Sequence, residues 1–265
     1  MNDSPPADQP APPGSLSIAP AWDGWISYPE SWTILDPDTA SRAYSLWNFA
    51  AKLNEQSVDD VVRGTVVQKL WNAVDQRIRA LHEIYNLNIA KSLLGRAKMS
   101  TLDVLHDLGV IRPLILKNLK DVRNRVEHQD QGAPNALECN NLIDSVWYFL
   151  RSTDQLATQK LNTYTLTSAI TVHGIADQEE SVSIDVSDGW AMRLHGWFRE
   201  EQIGIDSGDA YTSIVLNLSQ QPHRHESNNL FLDGSVAPTS TYIPNLIRDY
   251  FAVGWPSGAH GNRID

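Results

Sequence analysis

The hydrophobic pattern of this chain changes its period near Leu161. From Thr39 to Leu156, apolar residues recur every three or four positions, as they do on one face of a helix. After Leu161, stretches such as TYTLTSAITVHG and AYTSIVLNLSQ alternate apolar and polar residues between Gly, Asp and Asn turn signals. One backbone conformation cannot satisfy both periods. The sequence therefore predicts an α+β protein, with an all-α helical bundle followed by an antiparallel β-rich domain.

The same change of pattern sets the expected domain boundaries. Residues 1–38, which begin with a run rich in Pro, Ala, Ser and Asp, are predicted to be a flexible arm and lead-in. Residues 39–157 are predicted to form the bundle. Residues 160–265 are predicted to form an antiparallel meander that serves as a sensing or partner-binding domain, with the segment TYIPNLIRDYF as a helix packed on the sheet.

Composition and targeting signals indicate a folded protein of the cytoplasm. The chain has 265 residues, of which 42% are hydrophobic, enough for a substantial core. Its single cysteine, Cys139, cannot form an intramolecular disulfide, which favours a reducing compartment and a core role for the thiol. The N-terminal residues have neither a basic n-region nor an apolar h-region, and no apolar run is long enough to span a bilayer. We therefore expect no signal peptide and no membrane partner.

The charge balance limits the kinds of ligand that are expected. A formal net charge of −11 argues against a protein that coats nucleic acid through bulk electrostatics, because such binding depends on neutralising phosphates. The negative charge is concentrated in the second half, where residues 160–265 carry 6 basic and 13 acidic side chains. An anionic ligand is accordingly expected to bind to the first half.

One stretch in the first half, VRNRVEHQD at residues 122–130, places an arginine, an asparagine and a histidine at the C-terminal end of a predicted amphipathic helix. A helix advances about 100° per residue, so the positions of Asn124 and His128 lie opposite the apolar stripe. Lys117 and Lys120 lie on the same outward face one and two turns upstream, and Arg123 lies at its edge. The sequence thus predicts a row of cations that ends in an amide and an imidazole.

Taken alone, this row is also what an ordinary surface helix displays. Charged residues cover the outer face of most amphipathic helices, and basic residues near a C-terminus interact favourably with the helix dipole. Arg123 and Glu127 are spaced as a common i,i+4 ion pair. Spacing by itself does not separate a solvated helix end from a site.

The pattern Arg123-Asn124-x-x-x-His128 resembles the R-N-x(3)-H form of the R-x(4–6)-H motif of HEPN domains. The resemblance extends over residues 39–157 and includes the place of the motif, at the end of the third long helix of a small bundle. It implies a metal-independent endoribonuclease without a cofactor, often a toxin or an antiviral defence effector. It also implies a homodimer in which the motif helices face each other.

The resemblance assigns a role to each motif residue. Arg123 would bind the scissile phosphate and stabilise its developing charge, since guanidinium offers a planar fork for phosphate oxygens. His128 would move the proton of the ribose 2′-hydroxyl or of the leaving 5′-oxygen, because imidazole titrates near neutrality. Asn124 would orient the RNA substrate or His128, and Lys117 and Lys120 would bind the RNA backbone. The products would be a 2′,3′-cyclic phosphate and a 5′-hydroxyl.

Two further expectations concern assembly and an alternative function. A helix face open to solvent gives little preorganisation, so a second copy across a two-fold axis is expected to complete the cleft. The alternative is a noncatalytic HEPN interaction or sensing module, because Glu127 can pair with Arg123 and oppose RNA. In either case a protein regulator or antitoxin is a candidate partner.

A group of histidines in the β-rich half raises the alternative of a metal site. His223 and His225 would project from one face of a strand, and Glu226, His173 or His195 would add ligands. Pro222 and the run ESNN instead favour a polar loop with surface histidines. We therefore expect no metal site.

Overall fold

The structure is a computed structural model that describes residues 14–19, 25–56, 59–128, 134–167, 181–203, 214–224 and 229–253. These residues form eight α-helices and an eight-stranded sheet, which confirms the predicted α+β class. The helices are α1 Pro37–Gln56, α2 Asp60–Ile84, α3 Leu87–Leu93, α4 Thr101–Asp107, α5 Pro113–His128, α6 Ala136–Ser152, α7 Asp154–Thr158 and α8 Ile243–Val253. The strands are β1 Ser15–Ile18, β2 Ile26–Ile34, β3 Gln159–Thr167, β4 Ser181–Val186, β5 Met192–Arg199, β6 Ile214–Leu218, β7 His223–Arg224 and β8 Asn229–Val236.

The chain divides into a helical unit and a β-rich unit. The helical unit contains the described residues within 29–162, 188–190 and 244–253. The β-rich unit contains the described residues within 14–28, 163–187 and 191–243. The main boundary therefore falls between residues 162 and 163, close to the position at which the hydrophobic period changes.

Helix α2 lies at the centre of the helical unit, where it contacts α1, α5 and α6. Its buried positions follow the helical period, and they are Val66, Val67, Leu70, Ala73, Val74, Arg77, Ala80 and Leu81. The helix begins at an N-cap, Asp59, whose carboxylate accepts a hydrogen bond from the Val61 amide at 2.9 Å. Helix α6 begins in the same way, because the Asn135 side chain accepts from the Glu138 amide at 2.9 Å.

A buried arginine ties the central helix to its neighbours. Arg77 has no exposed surface, and its guanidinium donates to Asp154 Oδ1 at 3.0 Å and to the Leu150 carbonyl at 3.1 Å. The Tyr44 hydroxyl donates to the other oxygen of Asp154 at 2.7 Å. Burial, together with this hydrogen bond, raises the pKa of Tyr44 to about 12. The network thus connects α1, α2 and α7 through a single carboxylate.

Helix α8 packs within the helical unit through an aromatic cluster. Its Phe251 ring lies 5.3 Å from the ring of Tyr85, and its Tyr250 ring lies 5.1 Å from that of Trp190. The Trp190 indole donates to the Tyr85 carbonyl at 2.7 Å, and the Tyr250 hydroxyl donates to the Leu161 carbonyl at 2.8 Å. The predicted helix is therefore present, and the large buried rings of Tyr250 and Phe251 form part of the core of the helical unit.

The strands form one sheet in the order β1-β6-β8-β5-β4-β3-β2, with β7 paired to β8. The pairs β1–β6, β3–β4, β4–β5, β5–β8, β6–β8 and β7–β8 are all antiparallel. In β4 and β5 the apolar members of the alternation are buried, namely Val182, Ile184, Val186, Met192, Leu194 and Phe198. The predicted antiparallel alternation is therefore present, although the strand order is not that of a simple meander.

The N-terminal region differs from the flexible arm and lead-in expected for residues 1–38. Residues 15–18 form β1, which pairs with β6, and Ile18 is fully buried. Residues 26–34 form β2 at the other end of the strand order. The sequence Ser-Leu-Ser-Ile alternates polar and apolar side chains, so it can bury one side in a sheet even though it follows a Pro-rich run. Residues 1–13 lie outside the described part of the chain.

Candidate active site

The predicted motif lies on the last turns of α5, which packs against α2 and α6. Pro113 starts the helix, where its missing amide proton costs no hydrogen bond. Leu116, Leu119 and Val122 are buried and hold this helix to the bundle. The expected core side of α5 is therefore confirmed at Leu119 and Val122.

Arg123 occupies the side of α5 that faces α2. Its guanidinium carbon lies 4.8 Å from the ring centroid of Trp71 on α2, a cation–π contact. Its Nη2 lies 2.8 Å from Oε2 of Glu127, and the two side chains are 31% and 25% exposed. Its Nε is buried and has no hydrogen-bond partner among the described residues. Arg123 is thus a half-buried group that already contacts a ring and a carboxylate, and it does not extend freely into solvent.

The other predicted site residues do not all share this side of the helix. Lys117 and Lys120 are exposed, as expected for the outward face, whereas Asn124 is half-buried. His128 is the last residue of α5, and its side chain lies outside the described part of the structure. By helix geometry, positions 123 and 128 are about 140° apart around the axis and about 7.5 Å apart along it. Arg123 thus contacts α2 and is partly buried, whereas Lys117 and Lys120 are exposed.

A cleft of about 430 Å³ opens beside Arg123, between the first turns of α2 and the last turns of α5. Helix α2 contributes most of its lining, with Asp60, Val61, Gly64, Thr65, Val67 and Gln68, and α5 adds Arg123, Val126 and Glu127. Reasoning from the sequence missed every α2 residue of this cleft. One signal was present, since Gly64 interrupts an otherwise regular helical pattern and a glycine within a helix is unfavourable.

The charges around the cleft balance one another. Asp60 forms an ion pair with Arg63, and Glu127 forms one with Arg123. On the opposite side of α5, Arg125 pairs with Glu138 of α6. Each arginine at this end of the bundle therefore faces a carboxylate, so an incoming anion has to compete with the protein's own acidic groups.

Cys139 lies in the core close to this end of the bundle. It is fully buried, as the sequence predicted, and burial raises the pKa of its thiol. A protonated, inaccessible thiol is a poor nucleophile. We assign it a packing role.

The histidines of the β-rich unit do not form a metal site among the described residues. His223 is exposed on the two-residue strand β7, and His195 is half-buried on β5 with its Nδ1 3.7 Å from Oδ2 of Asp185. Within the described ranges there is no group of three or more His, Cys, Asp or Glu side chains that could hold a metal ion. His173, His225 and Glu226 lie outside those ranges.

No protein-family model, curated protein or solved structure matches this chain. The resemblance to HEPN domains therefore stays a prediction carried by the motif residues themselves. Among the described helices, none is both long and apolar enough to cross a membrane.

Proposed function

We propose that this protein is a HEPN-type, metal-independent endoribonuclease that needs no cofactor, with Arg123, Asn124 and His128 as its catalytic residues. The observation that carries the proposal is the environment of Arg123. Its guanidinium is held against Trp71 at the mouth of a cleft, with a carboxylate oxygen 2.8 Å from Nη2. A carboxylate and a phosphate present similar oxygen pairs to an arginine fork. The Glu127 carboxylate thus occupies a place that suits a phosphodiester oxygen.

The proposed reaction is an internal transesterification of RNA. The 2′-oxygen attacks the adjacent phosphorus as its proton passes to an imidazole, and the bond to the 5′-oxygen breaks as that oxygen takes up a proton. His128 supplies the imidazole for one or both transfers. Arg123 stabilises the charge on the non-bridging phosphate oxygens. A 2′,3′-cyclic phosphate and a 5′-hydroxyl result.

Binding of RNA has to displace the Glu127 carboxylate from Arg123. Both side chains are partly exposed, so their ion pair is weak and a phosphodiester can compete with it. Lys117 and Lys120 are exposed on α5 and supply additional positive charge for the RNA backbone. We propose that two copies pair through the outward face of α5, so that each site includes groups from both chains. A role as a toxin or antiviral defence effector, restrained by a protein regulator or antitoxin, is consistent with this activity.

One observation favours a second candidate function, a noncatalytic interaction or sensing module. The contacts of Arg123 with Glu127 and Trp71 are those of a structural arginine, and the chain has a net charge of −11. In such a module, α5 would bind a protein partner in place of RNA. The two functions predict different effects on RNA cleavage when the charge of Glu127 is removed.

The test is RNA cleavage by the purified full-length chain in the presence of EDTA, followed by analysis of the ends. A ribonuclease of this type leaves 2′,3′-cyclic phosphate and 5′-hydroxyl ends. We expect His128→Ala and Arg123→Lys each to lower the rate by at least about 100-fold, since general acid–base groups and charge-stabilising donors contribute at this level. Arg123→Lys retains the charge but not the planar fork, so it tests the geometry of the arginine.

Glu127→Gln separates the two candidate functions. If Glu127 only competes with substrate, this variant cleaves RNA faster than wild type at low substrate concentration. If the Arg123–Glu127 pair is part of a partner surface, RNA stays intact with every variant while co-purification with a partner changes. Complete absence of cleavage by wild type and by Glu127→Gln would rule out the ribonuclease. Lys52→Gln, at an exposed position on α1, controls for a general effect of charge.

A further inference from the structure

The cleft beside Arg123 contains a glycine that neither backbone conformation nor packing requires. Gly64 lies in the second turn of α2 with ordinary helical geometry and lines the cleft. A Cβ added at Gly64 would lie 3.4 Å from Cγ1 of Val126, which is ordinary van der Waals contact. Alanine would therefore fit here and would favour the helix more than glycine does. What glycine provides at this position is the volume of one methyl group next to Val126 in the cleft.

The lining of the cleft combines apolar walls with hydrogen-bonding groups. Val61, which is 77% exposed, and the half-buried Val126 present aliphatic surface. Gln68 offers an amide donor and an amide acceptor, and the Thr65 hydroxyl, which donates to the Val61 carbonyl at 3.2 Å, retains lone pairs as acceptors. Such a mixture suits a flat heterocycle with polar edges better than a purely aliphatic or purely ionic group.

Size and charge restrict the occupant further. A volume of about 430 Å³ is that of a small-molecule site. Asp60 pairs with Arg63 and Glu127 pairs with Arg123, so the charge of the cleft lining is close to zero and favours an uncharged group within the cleft. One phosphate bound by Arg123, joined to an uncharged group within the cleft, satisfies both conditions.

From these observations we infer that the cleft between α2 and α5 is a nucleoside-binding subsite, which takes the base and ribose next to the phosphate bound by Arg123. This inference rests on the proposed function, because that function supplies the phosphate at Arg123. It adds Gly64, Thr65 and Gln68 as substrate-binding residues. Gly64 leaves space for the nucleoside, and Gln68 and Thr65 form hydrogen bonds with the polar edge of the base or with the ribose hydroxyls.

The test compares nucleotides with bare phosphate by isothermal titration calorimetry on the full-length protein. The probes are adenosine 3′-monophosphate, cytidine 3′-monophosphate and inorganic phosphate. We expect at least one nucleotide to bind about tenfold more tightly than phosphate, a difference that corresponds to about 1.4 kcal/mol. Equal affinities for both nucleotides and phosphate would overturn the subsite.

Gly64→Ala best distinguishes a glycine that serves binding from one that has no role, because we expect this variant to be more stable but to bind nucleotides more weakly. We expect the melting temperature to rise by about 2–4 °C, since alanine favours the helix. We expect the advantage of nucleotide over phosphate to fall by about tenfold. A glycine without a role in binding would give the first effect only, and unchanged nucleotide affinity would overturn the inference.

Gln68→Ala is a second variant that does not depend on how α2 accommodates a methyl group at position 64. Gln76→Ala is its matched control, since Gln76 lies two turns later on α2 and outside the cleft. We expect only Gln68→Ala to weaken nucleotide binding. If both variants bind nucleotides as wild type does, the subsite is wrong. Tight binding of an apolar peptide without nucleotide binding would assign the cleft to a protein partner instead.

The outcome also separates this inference from the proposed function. RNA cleavage together with equal nucleotide and phosphate affinities would retain the ribonuclease and remove the subsite. Binding of nucleotides that depends on Gly64, without cleavage of RNA by wild type, would retain a nucleotide site and remove the ribonuclease.

Discussion

At the scale of single residues, burial gives similar arginines different roles. Arg77 and Arg79 are two positions apart on α2, but Arg77 has no exposed surface whereas the Arg79 side chain is 68% exposed and pairs with Asp75. The buried guanidinium donates to Asp154 and to backbone carbonyls. A charge removed from water is tolerated only with such partners. Arg77 therefore belongs to the core, although its residue type indicates the surface.

This difference predicts unequal costs for the same substitution. Arg77→Met should lower the free energy of unfolding by roughly 3 kcal/mol, the lower end of the range for a broken buried pair. We expect the lower end because Arg151 and Tyr44 still contact Asp154. Urea denaturation followed by circular dichroism measures the loss.

The matched control is Arg79→Met on the same helix. It removes an exposed i,i+4 pair and should cost no more than about 0.5 kcal/mol. Equal losses for the two variants would contradict the structural role given to Arg77.

At the scale of elements, the sheet pairs polar side chains across neighbouring strands. Asp233 on β8 lies directly opposite His195 on β5, and Arg193 lies two residues away on β5, opposite Ser235. The Arg193 guanidinium donates to both oxygens of Asp233, at 2.7 and 2.6 Å. These hydrogen bonds and the positive charge hold the pKa of the Asp233 carboxyl below its usual value. The alternation seen in the sequence predicts which side of the strand each residue occupies, whereas register decides its partner.

This pair predicts a stability that depends on pH. The pKa of Asp233 is lowered on folding. Its ionised carboxylate therefore adds to the free energy of unfolding above the unfolded carboxyl pKa of about 3.9, and this stabilisation is lost as the pH falls through the lower pKa of the folded protein. Arg193→Met should therefore destabilise the protein near neutral pH. The difference from wild type should shrink below about pH 4, as measured by thermal denaturation across a pH series.

Arg199→Met is the control on the same strand, since Arg199 lies 3.5 Å from the exposed Glu201. It should show a smaller effect near neutral pH. A constant difference between Arg193→Met and wild type from neutral to acidic pH would exclude the Arg193–Asp233 pair as the cause.

At the scale of the whole molecule, the proposed function includes a second copy. The outward positions of α5 include Lys117, Lys120 and Asp121, all of them exposed. The adjoining C-terminal turn carries His128. We predict a homodimer of 29.6 kDa chains in which these faces meet across a two-fold axis. Sedimentation equilibrium measures the mass.

An engineered cysteine locates the interface. Asp121→Cys should form an intermolecular disulfide under mild oxidation if its Cα lies within about 7 Å of its mate across the axis. The native Cys139 is buried and does not interfere. Asp144→Cys, at an exposed position on α6, is the matched control and should remain monomeric on a non-reducing gel. Cross-linking through Asp144→Cys alone would assign the interface to α6 instead of α5.

The sequence by itself determined the features that depend on local periodicity. The change of period near Leu161, the apolar stripe of α5 and the alternation in β4 and β5 each arise from residues a few positions apart. For that reason the α+β class and the buried positions Leu119 and Val122 were predicted correctly. The motif residues were also placed on their helix without knowledge of its neighbours.

Tertiary structure decided everything that depends on residues distant in the chain. Ser15 donates to Asn217, 202 positions away, and α8 packs on Tyr85 and Trp190. The cleft exists only because the first turns of α2 lie against the last turns of α5, and the same packing places Arg123 against Trp71. Periodicity defines an apolar face but does not specify which element covers it, since many partners bury similar area. Packing of specific side chains makes that choice.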